Sequence, residues 1–408
     1  MSNLILNEGY QKSKIFFQEG YKDIIKHQGK PYIDLSNCAG SLMLGHNSKI
    51  YKQILKKYLK INGSNFAHPN KHALDYAKTI KKIFPNFEKI IFCNSGTEAV
   101  TKSLKISRTL NKREYIVSVV GSWHGSVDKL LFKPDNKLRP KFFSDGTSND
   151  DKKKIIFIPY NDIEISKKIL NKNKNKINCI IIEPIQACLP LNNSKHYLKF
   201  LENFCNKNNC TLIFDEMITG VRSDKYSVQQ NYAIKPDITT IGKITGGGMP
   251  IGIIGISKKT HKYIKGKKIF YGGTFSGNSL SSFVGNETLK HLIKNKNIIK
   301  KVNDKSKYFQ DNLNSFIYNN KIDSKIYRYS SILRIVYSDN EINNRTQRDY
   351  LESKISTKII NFKKFLFQKN IYYPSSGIIF FSDATSYKNI DYVIKCIKIG
   401  FKRIFQIN

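Results

Sequence analysis

The chain has 408 residues, 40% of them hydrophobic and 12% aromatic, which is enough for one large and one smaller domain. It has no run of about 18 apolar residues, and Met1–Gly20 lacks the apolar stretch of a signal peptide, so we expect a cytoplasmic protein without a membrane span. The net charge of +38 is almost entirely lysine, with no arginine before Arg108 and no nucleic-acid-binding motif, so we expect no specific nucleic-acid function.

Residues 51–285 are predicted to form a large α/β domain. Residues 1–50 are predicted to form an N-terminal segment that packs with a smaller C-terminal domain. Continuous β-branched runs without alternation are typical of parallel strands covered on both faces. These runs are Lys89–Cys93, Tyr115–Val120, Ile155–Ile158, Ile177–Ile182, Thr211–Phe214 and Ile238–Ile241. Helical patterns such as Thr97–Leu110 and Tyr197–Asn208 separate them, and we interpret the polar tract Asn171–Lys176 as a loop. The alternation predicts a doubly wound, mainly parallel sheet.

Residues 286–408 have a different pattern, which predicts a smaller α+β domain. A long helical pattern comes first, short strands follow around Ile332–Tyr337 and Gly377–Phe381, and a last helix is expected after Asp391. The seven cysteines of the chain form no CxxC pair and have no histidine at zinc-ligand spacing, so we expect reduced thiols and no metal.

Three chemically distinctive groups follow predicted strands. Asp215 comes directly after one strand, Gly242 and Lys243 come after the next, and Asn94–Thr97 joins Lys89–Cys93 to a helix. The carboxyl ends of parallel strands share one edge of a sheet, where ligands gather, so these groups should lie together. Each signal alone is weak, because an aspartate after a strand is often a cap and a lysine is usually solvated.

Pyridoxal phosphate requires this combination of groups. A lysine binds its aldehyde, and a carboxylate keeps its pyridine nitrogen protonated. Its phosphate needs backbone N–H groups at a helix N-terminus, where Gly96 allows close approach and Ser95 and Thr97 add hydroxyls.

Seven segments resemble the class III aminotransferases, nearest to the glutamate-1-semialdehyde 2,1-aminomutase branch, and they occur in the family's order over nearly the whole chain. They are Asn94–Ala99, Ser122–Gly125, Pro159–Asp162, Glu183–Pro184, Ile213–Arg222, Gly242–Gly252 and Gly273–Asn278. The resemblance implies a fold-type I pyridoxal-phosphate transferase.

The resemblance also implies a role for individual residues. Lys243 would be the Schiff-base lysine and proton shuttle, and Asp215 would pair with the pyridinium. Ser95, Gly96 and Thr97 would hold the phosphate. Two further positions match the family: Trp123 would stack on the ring where the family usually has Tyr or Phe, and Thr274 would reach the phosphate bound by the other subunit of a homodimer. His124 could have a structural or a polar role at the site.

The substrate-side residues depart from the family. The aminomutase arginine near the N-terminus is missing, its tryptophan corresponds to Ala39, and its C-terminal glutamate corresponds to about Gly377. In members that use glutamate, a glutamate after Glu-Pro-Ile-Gln gates an arginine. Here the motif begins at Glu183, the gate position is Cys188, and the arginine's counterpart is again near Gly377.

Three functions remain open from the sequence. The first is an aminotransferase that moves an amino group between a small-molecule amino donor and a carbonyl acceptor, and the second is an aminomutase that keeps the group within one molecule. The third is a polyanion-binding protein on an inherited scaffold, which Lys243 and Asp215 argue against. Arg222 could contact a substrate anion or form a structural salt bridge. The sequence does not identify the donor, the acceptor or the pathway.

Overall fold

A computed structural model describes residues 15–61, 63–338 and 341–405. The strands in these ranges are β1 Phe17–Tyr21, β2 Ile24–His27, β3 Lys30–Asp34, β4 Lys89–Cys93, β5 Tyr115–Val119, β6 Phe132–Pro134, β7 Pro140–Phe142, β8 Ile155–Ile158, β9 Ile177–Ile182, β10 Thr211–Asp215, β11 Ile238–Gly242, β12 Gly252–Ile256, β13 Lys325–Tyr329, β14 Ile332–Val336, β15 Ile371–Tyr372 and β16 Ile378–Ile379.

The helices in the same ranges are α1 Lys49–Leu59, α2 Lys71–Ile83, α3 Gly96–Asn111, α4 Asn149–Lys153, α5 Ile163–Asn173, α6 Lys195–Asn208, α7 Val228–Tyr232, α8 Lys258–Ile264, α9 Ser279–Lys294, α10 Asn297–Asn319, α11 Arg345–Lys354, α12 Ser356–Gln368 and α13 Tyr387–Ile404. Short 3₁₀ turns occur at Asp128–Leu130 and Lys243–Gly246. None of these helices is long and apolar enough to cross a membrane.

The largest sheet has the strand order β4-β12-β11-β10-β9-β5-β8. Six of its strands run in one direction, and β12 is antiparallel to both of its neighbours. Side chains alternate between two cores: Ile180 and Leu212 pack with α6, and Ile181 and Ile213 pack with α3. Each fully buried isoleucine contributes about 1.5–3 kcal/mol, and helices on both faces exclude water from the sheet. The predicted doubly wound, mainly parallel fold is confirmed.

A second sheet links the two ends of the chain. Its order is β1-β2-β3-β15, with β3 and β15 parallel and Ile33 opposite Ile371. Strands β13, β14 and β16 form a third sheet, and β6 and β7 form a hairpin. The β3–β15 pair brings the N-terminal segment against the C-terminal part, although the boundaries at residues 50 and 285 stay predictions. The part of this segment before residue 15 lies outside the described residues.

Two element boundaries differ from the sequence prediction. Helix α13 begins at Tyr387, not after Asp391, because Ser386 caps it by accepting a hydrogen bond from Asn389 N. Its first turn carries few buried apolar side chains, so the periodicity becomes visible only later. Asn171–Asn173, predicted as a loop, is the last turn of α5. The polar side chains there are mostly exposed on the helix surface, which a periodicity argument interprets as loop.

Candidate active site

Functional side chains meet at one edge of the large sheet. Strands β4, β5, β9, β10 and β11 all end there, because they run in the same direction. The residues at or just after these ends are Asn94–Thr97, Gly121–His124, Glu183, Asp215 and Lys243. The sequence prediction that the ends of the strands converge is therefore correct at the level of the backbone.

Asp215 is buried and held by three donors. Its Oδ2 is 2.8 Å from His124 Nδ1, and its Oδ1 accepts from Met217 N and Thr240 Oγ1, each at 3.1 Å. The contact with the carboxylate places the His124 proton on Nδ1. His124 Nε2 is buried and has no partner among the described residues. An unsatisfied buried polar atom costs about 1–3 kcal/mol, so a polar group fits beside this ring.

Lys243 occupies a strained backbone position. It begins a 3₁₀ turn directly after β11, with φ of +53°, a left-handed conformation that costs a non-glycine residue about 1–2 kcal/mol. Burial lowers the pKa of its amine, while the charges of Asp215 and Glu183 act in the opposite direction. The lowered pKa raises the fraction of the neutral amine, which is the nucleophilic form.

The start of α3 is organised as an anion site. Ser95 is the N-cap and accepts from Glu98 N at 3.1 Å, and Thr97 Oγ1 accepts from Ser126 N at 3.1 Å. Glu98 places a negative charge in this first turn, and Lys102 pairs with it at 2.5 Å. The sequence prediction missed this ion pair, although two residues four positions apart on a helix lie side by side and can pair. Lys102 thus offsets the negative charge that Glu98 brings to the positive end of this 16-residue helix, and such an end is favourable for an anion.

Thr274 is exposed, as a residue that contacts a second subunit would be. Its loop also lies beside helix α3 of the same chain, because Ser276 Oγ is 3.4 Å from Glu98 Oε1. Whether Thr274 serves its own site or that of a partner stays a prediction.

Glu183 joins two loops of the site. It accepts from Trp123 N at 2.7 Å and from Ala187 N at 3.3 Å. Burial, with a smaller contribution from Asp215, raises the pKa of Glu183 to about 7. The Trp123 ring contacts Phe143 edge to face, with the centroids 5.7 Å apart. Its predicted stacking on the cofactor stays a prediction.

Arg222 is almost completely buried, with 1% of its surface exposed. It donates to the carbonyl oxygens of Ile218 and Gly40 and stacks on Phe380, with its guanidinium carbon 4.6 Å from the ring centroid. No carboxylate of the described residues lies within salt-bridge distance, so the predicted alternative of a structural salt bridge is wrong. Burial lowers the pKa of Arg222 to about 9.

Contacts with neighbouring residues define the surroundings of Ala39 and Gly377, two of the positions that depart from the family. Ala39 lies in the turn Asn37–Gly40, where all four residues have positive φ. Asp34 accepts from Asn37 N at 3.0 Å, and Asn37 Nδ2 donates to Phe380 O at 2.7 Å, which fixes this turn. Gly377 has φ of +71°, and a Cβ at this position would overlap Arg334 Nη1. A larger residue at position 377 would therefore be strained by the positive φ and would require Arg334, an arginine that the sequence did not point to, to move.

Cys188, which the sequence predicts at the gate position, lies beside the loop that carries Trp123. It is partly buried, and its Sγ is 3.3 Å from Gly121 O, two residues before Trp123. The part of the chain that the structure describes contains no group of three or more His, Cys, Asp or Glu that could hold a metal ion.

Comparison with known sequences and structures identifies the relatives of this chain. The family "Aminotransferase class-III" matches residues 6–344. The glutamate-1-semialdehyde 2,1-aminomutase of Methanocaldococcus jannaschii is 33% identical over 95% of this chain and 91% of its own length. The same enzyme from Fusobacterium nucleatum is 32% identical over 97% of this chain and 91% of its own length.

Solved structures share the fold. An omega-transaminase from Sphaerobacter thermophilus superimposes with a TM-score of 0.87 at 20% identity, over 96% of this chain and 92% of that one. A glutamate-1-semialdehyde aminomutase from Pseudomonas aeruginosa in complex with PMP gives a TM-score of 0.83 at 15% identity, over 96% of this chain and 88% of that one.

Proposed function

The chain belongs to the class-III aminotransferases and is a pyridoxal-phosphate-dependent enzyme, and we propose that it transfers an amino group between a separate amino donor and a separate carbonyl acceptor. The observation that carries this proposal is the contrast between a site equipped for the cofactor and a substrate side that lacks the aminomutase residues. When bound, pyridoxal phosphate supplies an aldehyde that captures the substrate's amino group and a ring that accepts electrons from the cleaved bond.

The residues of this chain would hold the cofactor as follows. Asp215 keeps a proton on the pyridine nitrogen, and His124 orients Asp215 through its 2.8 Å contact. The N-terminus of α3, with Ser95, Gly96 and Thr97, holds the phosphate. Lys243 Nζ would hold the aldehyde carbon of the cofactor, and as a free amine it would move a proton to and from the substrate carbon, a task that its lowered pKa favours.

We further propose that the enzyme works as a homodimer in which Thr274 of each chain contributes to the phosphate site of the other. The exposure of Thr274 and the glycine-rich loop that carries it support this assignment.

The second candidate is intramolecular transfer by a glutamate-1-semialdehyde 2,1-aminomutase, which the identity of 32–33% to two such enzymes favours. Against it stand Ala39, held in a left-handed turn, and Gly377, where the Arg334 guanidinium fills the side-chain space. A residue that carried the aminomutase carboxylate at position 377 would displace Arg334 from its 2.9 Å ion pair with Glu352.

One experiment separates the two candidates. Purified enzyme is supplied with amines alone, with oxo acids alone and with both, and product is followed by mass spectrometry with ¹⁵N-labelled donor. Transfer of ¹⁵N to a second molecule is expected for a transaminase. Conversion of glutamate-1-semialdehyde without a co-substrate, with rescue of a strain that lacks the aminomutase, would show the proposal to be wrong. Product formation without added cofactor, after dialysis against a carbonyl reagent, would contradict both.

A further inference from the structure

An arginine that follows the family-matched region lies beside the gate position. Arg345 is the first residue of α11, and its Nη1 donates to Gly121 O at 3.2 Å. Cys188 Sγ donates to the same oxygen at 3.3 Å. An added Cβ on Gly121 would come within 2.9 Å of Arg345 Cβ, so this close approach requires the glycine. Arg345 is therefore fixed against the loop that leads to Trp123 and His124.

The Arg345 guanidinium is only partly used by the protein. Its Nε donates to Asp349 at 3.0 Å and its Nη1 to Gly121, and no acceptor for Nη2 is found among the described residues. A guanidinium has five N–H donors, so most of its capacity remains. With 35% of the side chain exposed, a ligand can reach it.

The surroundings of Arg345 carry unbalanced positive charge. Three arginines, Arg334, Arg345 and Arg348, face two carboxylates, Asp349 and Glu352. Arg334 and Arg348 are buried, and their contacts are with these carboxylates and with the carbonyl oxygens of Ser376 and Cys188. These five residues thus carry one more cation than carboxylate, and Arg345, which shares Asp349 with Arg348, is the accessible arginine among them.

Nearby ionisable groups do not remove this charge. Lys363 adds a cation near Arg334, and burial lowers its pKa to about 8. Glu183 is the other carboxyl group close to Arg345, but both of its oxygens accept backbone N–H groups and its pKa is raised to about 7. The Cys188 thiol offers no carboxylate at the gate position to pair with Arg345.

We infer that Arg345 binds the carboxylate of the substrate at the Cys188 side of the cleft, so that the substrates are amino acids and oxo acids and not simple amines. The inference rests on the proposed amino transfer and names its substrate class. Arg345 would be a specificity-determining residue that supplies the guanidinium for which the N-terminal segment and position 377 provide no arginine. The planar guanidinium of Arg345 suits a carboxylate, because two of its N–H groups can bind the two carboxylate oxygens.

The test uses Trp123, the one tryptophan of the chain, which is two residues from Gly121. Its fluorescence in the cofactor-loaded enzyme is titrated with propionate, glutarate, the matching amides and methyl phosphate. We expect the carboxylates to bind and the amides not to. Arg345→Gln should weaken carboxylate binding roughly tenfold to a hundredfold, the value of a hydrogen-bonded charge. Arg345→Lys should recover part of the loss.

Two further variants control for charge and for structure. Arg403→Gln removes an exposed arginine of α13 that packs on Phe365, and it should leave carboxylate binding unchanged. Cys188→Glu places a carboxylate beside Arg345 and should weaken binding more than Cys188→Ser does. Equal cofactor content and thermal midpoint in all variants shows that folding is intact.

Several results would overturn the inference: carboxylate affinity unchanged in Arg345→Gln, amides that bind as well as carboxylates, or methyl phosphate as the tighter ligand. Half-reactions then separate donor from acceptor. Amino acids test the donor and oxo acids the acceptor, and Arg345→Gln should raise the half-saturating concentration of both and leave their limiting rates nearly unchanged. If no amine of any class converts the wild-type cofactor, the proposed function fails, whatever the binding titrations show.

Discussion

The proposed cofactor side of the site, made of Ser95–Thr97, His124, Asp215 and Lys243, comes from strand ends of a single sheet. The proposed substrate side, made of Ala39, Cys188, Arg345 and Gly377, comes from segments spread over more than 330 residues. On the cofactor side, buried polar atoms contact one another directly. On the substrate side, the geometry depends on carbonyl oxygens and glycines of other segments. The residues proposed to hold the cofactor can therefore match those of the family in a chain whose proposed substrate-binding residues differ from them.

The largest effect should come from Lys243, on the cofactor side. Lys243→Ala removes both the covalent attachment and the proton-transfer group, so we expect turnover to fall by roughly 10⁴-fold or more. Borohydride reduction of the wild-type enzyme followed by peptide mapping should label Lys243. Lys258→Ala, at the exposed start of α8, is the control and should keep activity. A label on another lysine would show that Lys243 is not the residue that binds the cofactor.

Asp215→Asn tests the electron sink. The amide preserves the shape but cannot hold the pyridine nitrogen protonated. Cofactor should therefore be retained while the rate falls by about 10²–10⁴-fold, as for a broken buried charge pair worth about 3–5 kcal/mol. Steady-state kinetics with a cofactor absorbance spectrum measures both. Asp150→Asn, at an exposed position in α4, should be neutral. Near-wild-type turnover of Asp215→Asn is the contrary outcome.

Mixing two inactive variants tests whether the cofactor side is shared between subunits. Lys243→Ala and Thr274→Tyr chains are combined under conditions of subunit exchange. With shared sites, each mixed dimer has one site with both lesions and one with neither, so about a quarter of all sites should recover. In the alternative, Thr274 serves the site of its own chain, and the contact of Ser276 with Glu98 of the same chain supports this. No recovery after proven exchange, or an active monomer by light scattering, would favour that alternative.

Glu183 connects the two sides, and its titration should be visible in stability. Its pKa is raised to about 7, so between the unfolded value near 4.5 and about 7 the folded protein holds a proton that the unfolded chain has released. Stability therefore falls as pH rises through this window. Glu183→Gln should lack this fall, with a gain of about 2–3 kcal/mol relative to wild type between pH 5 and 8.

Urea unfolding of cofactor-free protein at several pH values measures the effect of Glu183→Gln. Glu164→Gln, which changes an exposed residue of α5, is the matched control. Parallel profiles for Glu183→Gln and wild type would contradict the assignment.

The smallest effect concerns strain on the substrate side. Ala39 has φ of +52°, so Ala39→Gly should stabilise the fold by up to about 1 kcal/mol. Ala77→Gly, inside helix α2, should instead destabilise it by about 1 kcal/mol. Chemical denaturation measures both. Destabilisation by both substitutions would show that Ala39 is not strained.

The residues of the proposed cofactor side could be placed at one edge of the sheet from the sequence, because they lie at the ends of apolar runs and within recognisable motifs. The prediction reached Asp215, Lys243 and Ser95–Thr97 from strand ends. The contact of His124 with Asp215 joins residues 91 positions apart and needed the fold. The start of α13 was missed, since its cap is one serine without a strong pattern.

The substrate side could not be predicted in the same way. Arg345 lies one residue beyond the family match and is surrounded by polar residues, so neither motif nor periodicity marks it. The left-handed turn at Asn37–Gly40 depends on a local contact to Asp34 and on tertiary contacts to Arg222 and Phe380, because non-glycine residues avoid this conformation on their own. The role of Arg222 was left open for the same reason: its acceptors are carbonyl oxygens, which every sequence has.

The pairing of β3 with β15 has a consequence for the order of events during synthesis. Asp34, which ends β3 and holds the Asn37 turn, lies opposite Tyr372, so the ribosome adds more than 330 residues before that pair can form. At about 5–20 residues per second, this takes roughly 20–70 s, and the last strand of the sheet that carries Asp215 and Lys243 ends at Ile256, more than 100 residues before Tyr372 is added. A nascent chain stopped before residue 371 would therefore contain this whole sheet and its proposed cofactor-binding groups, while the turn at Ala39 lacked the support of β15.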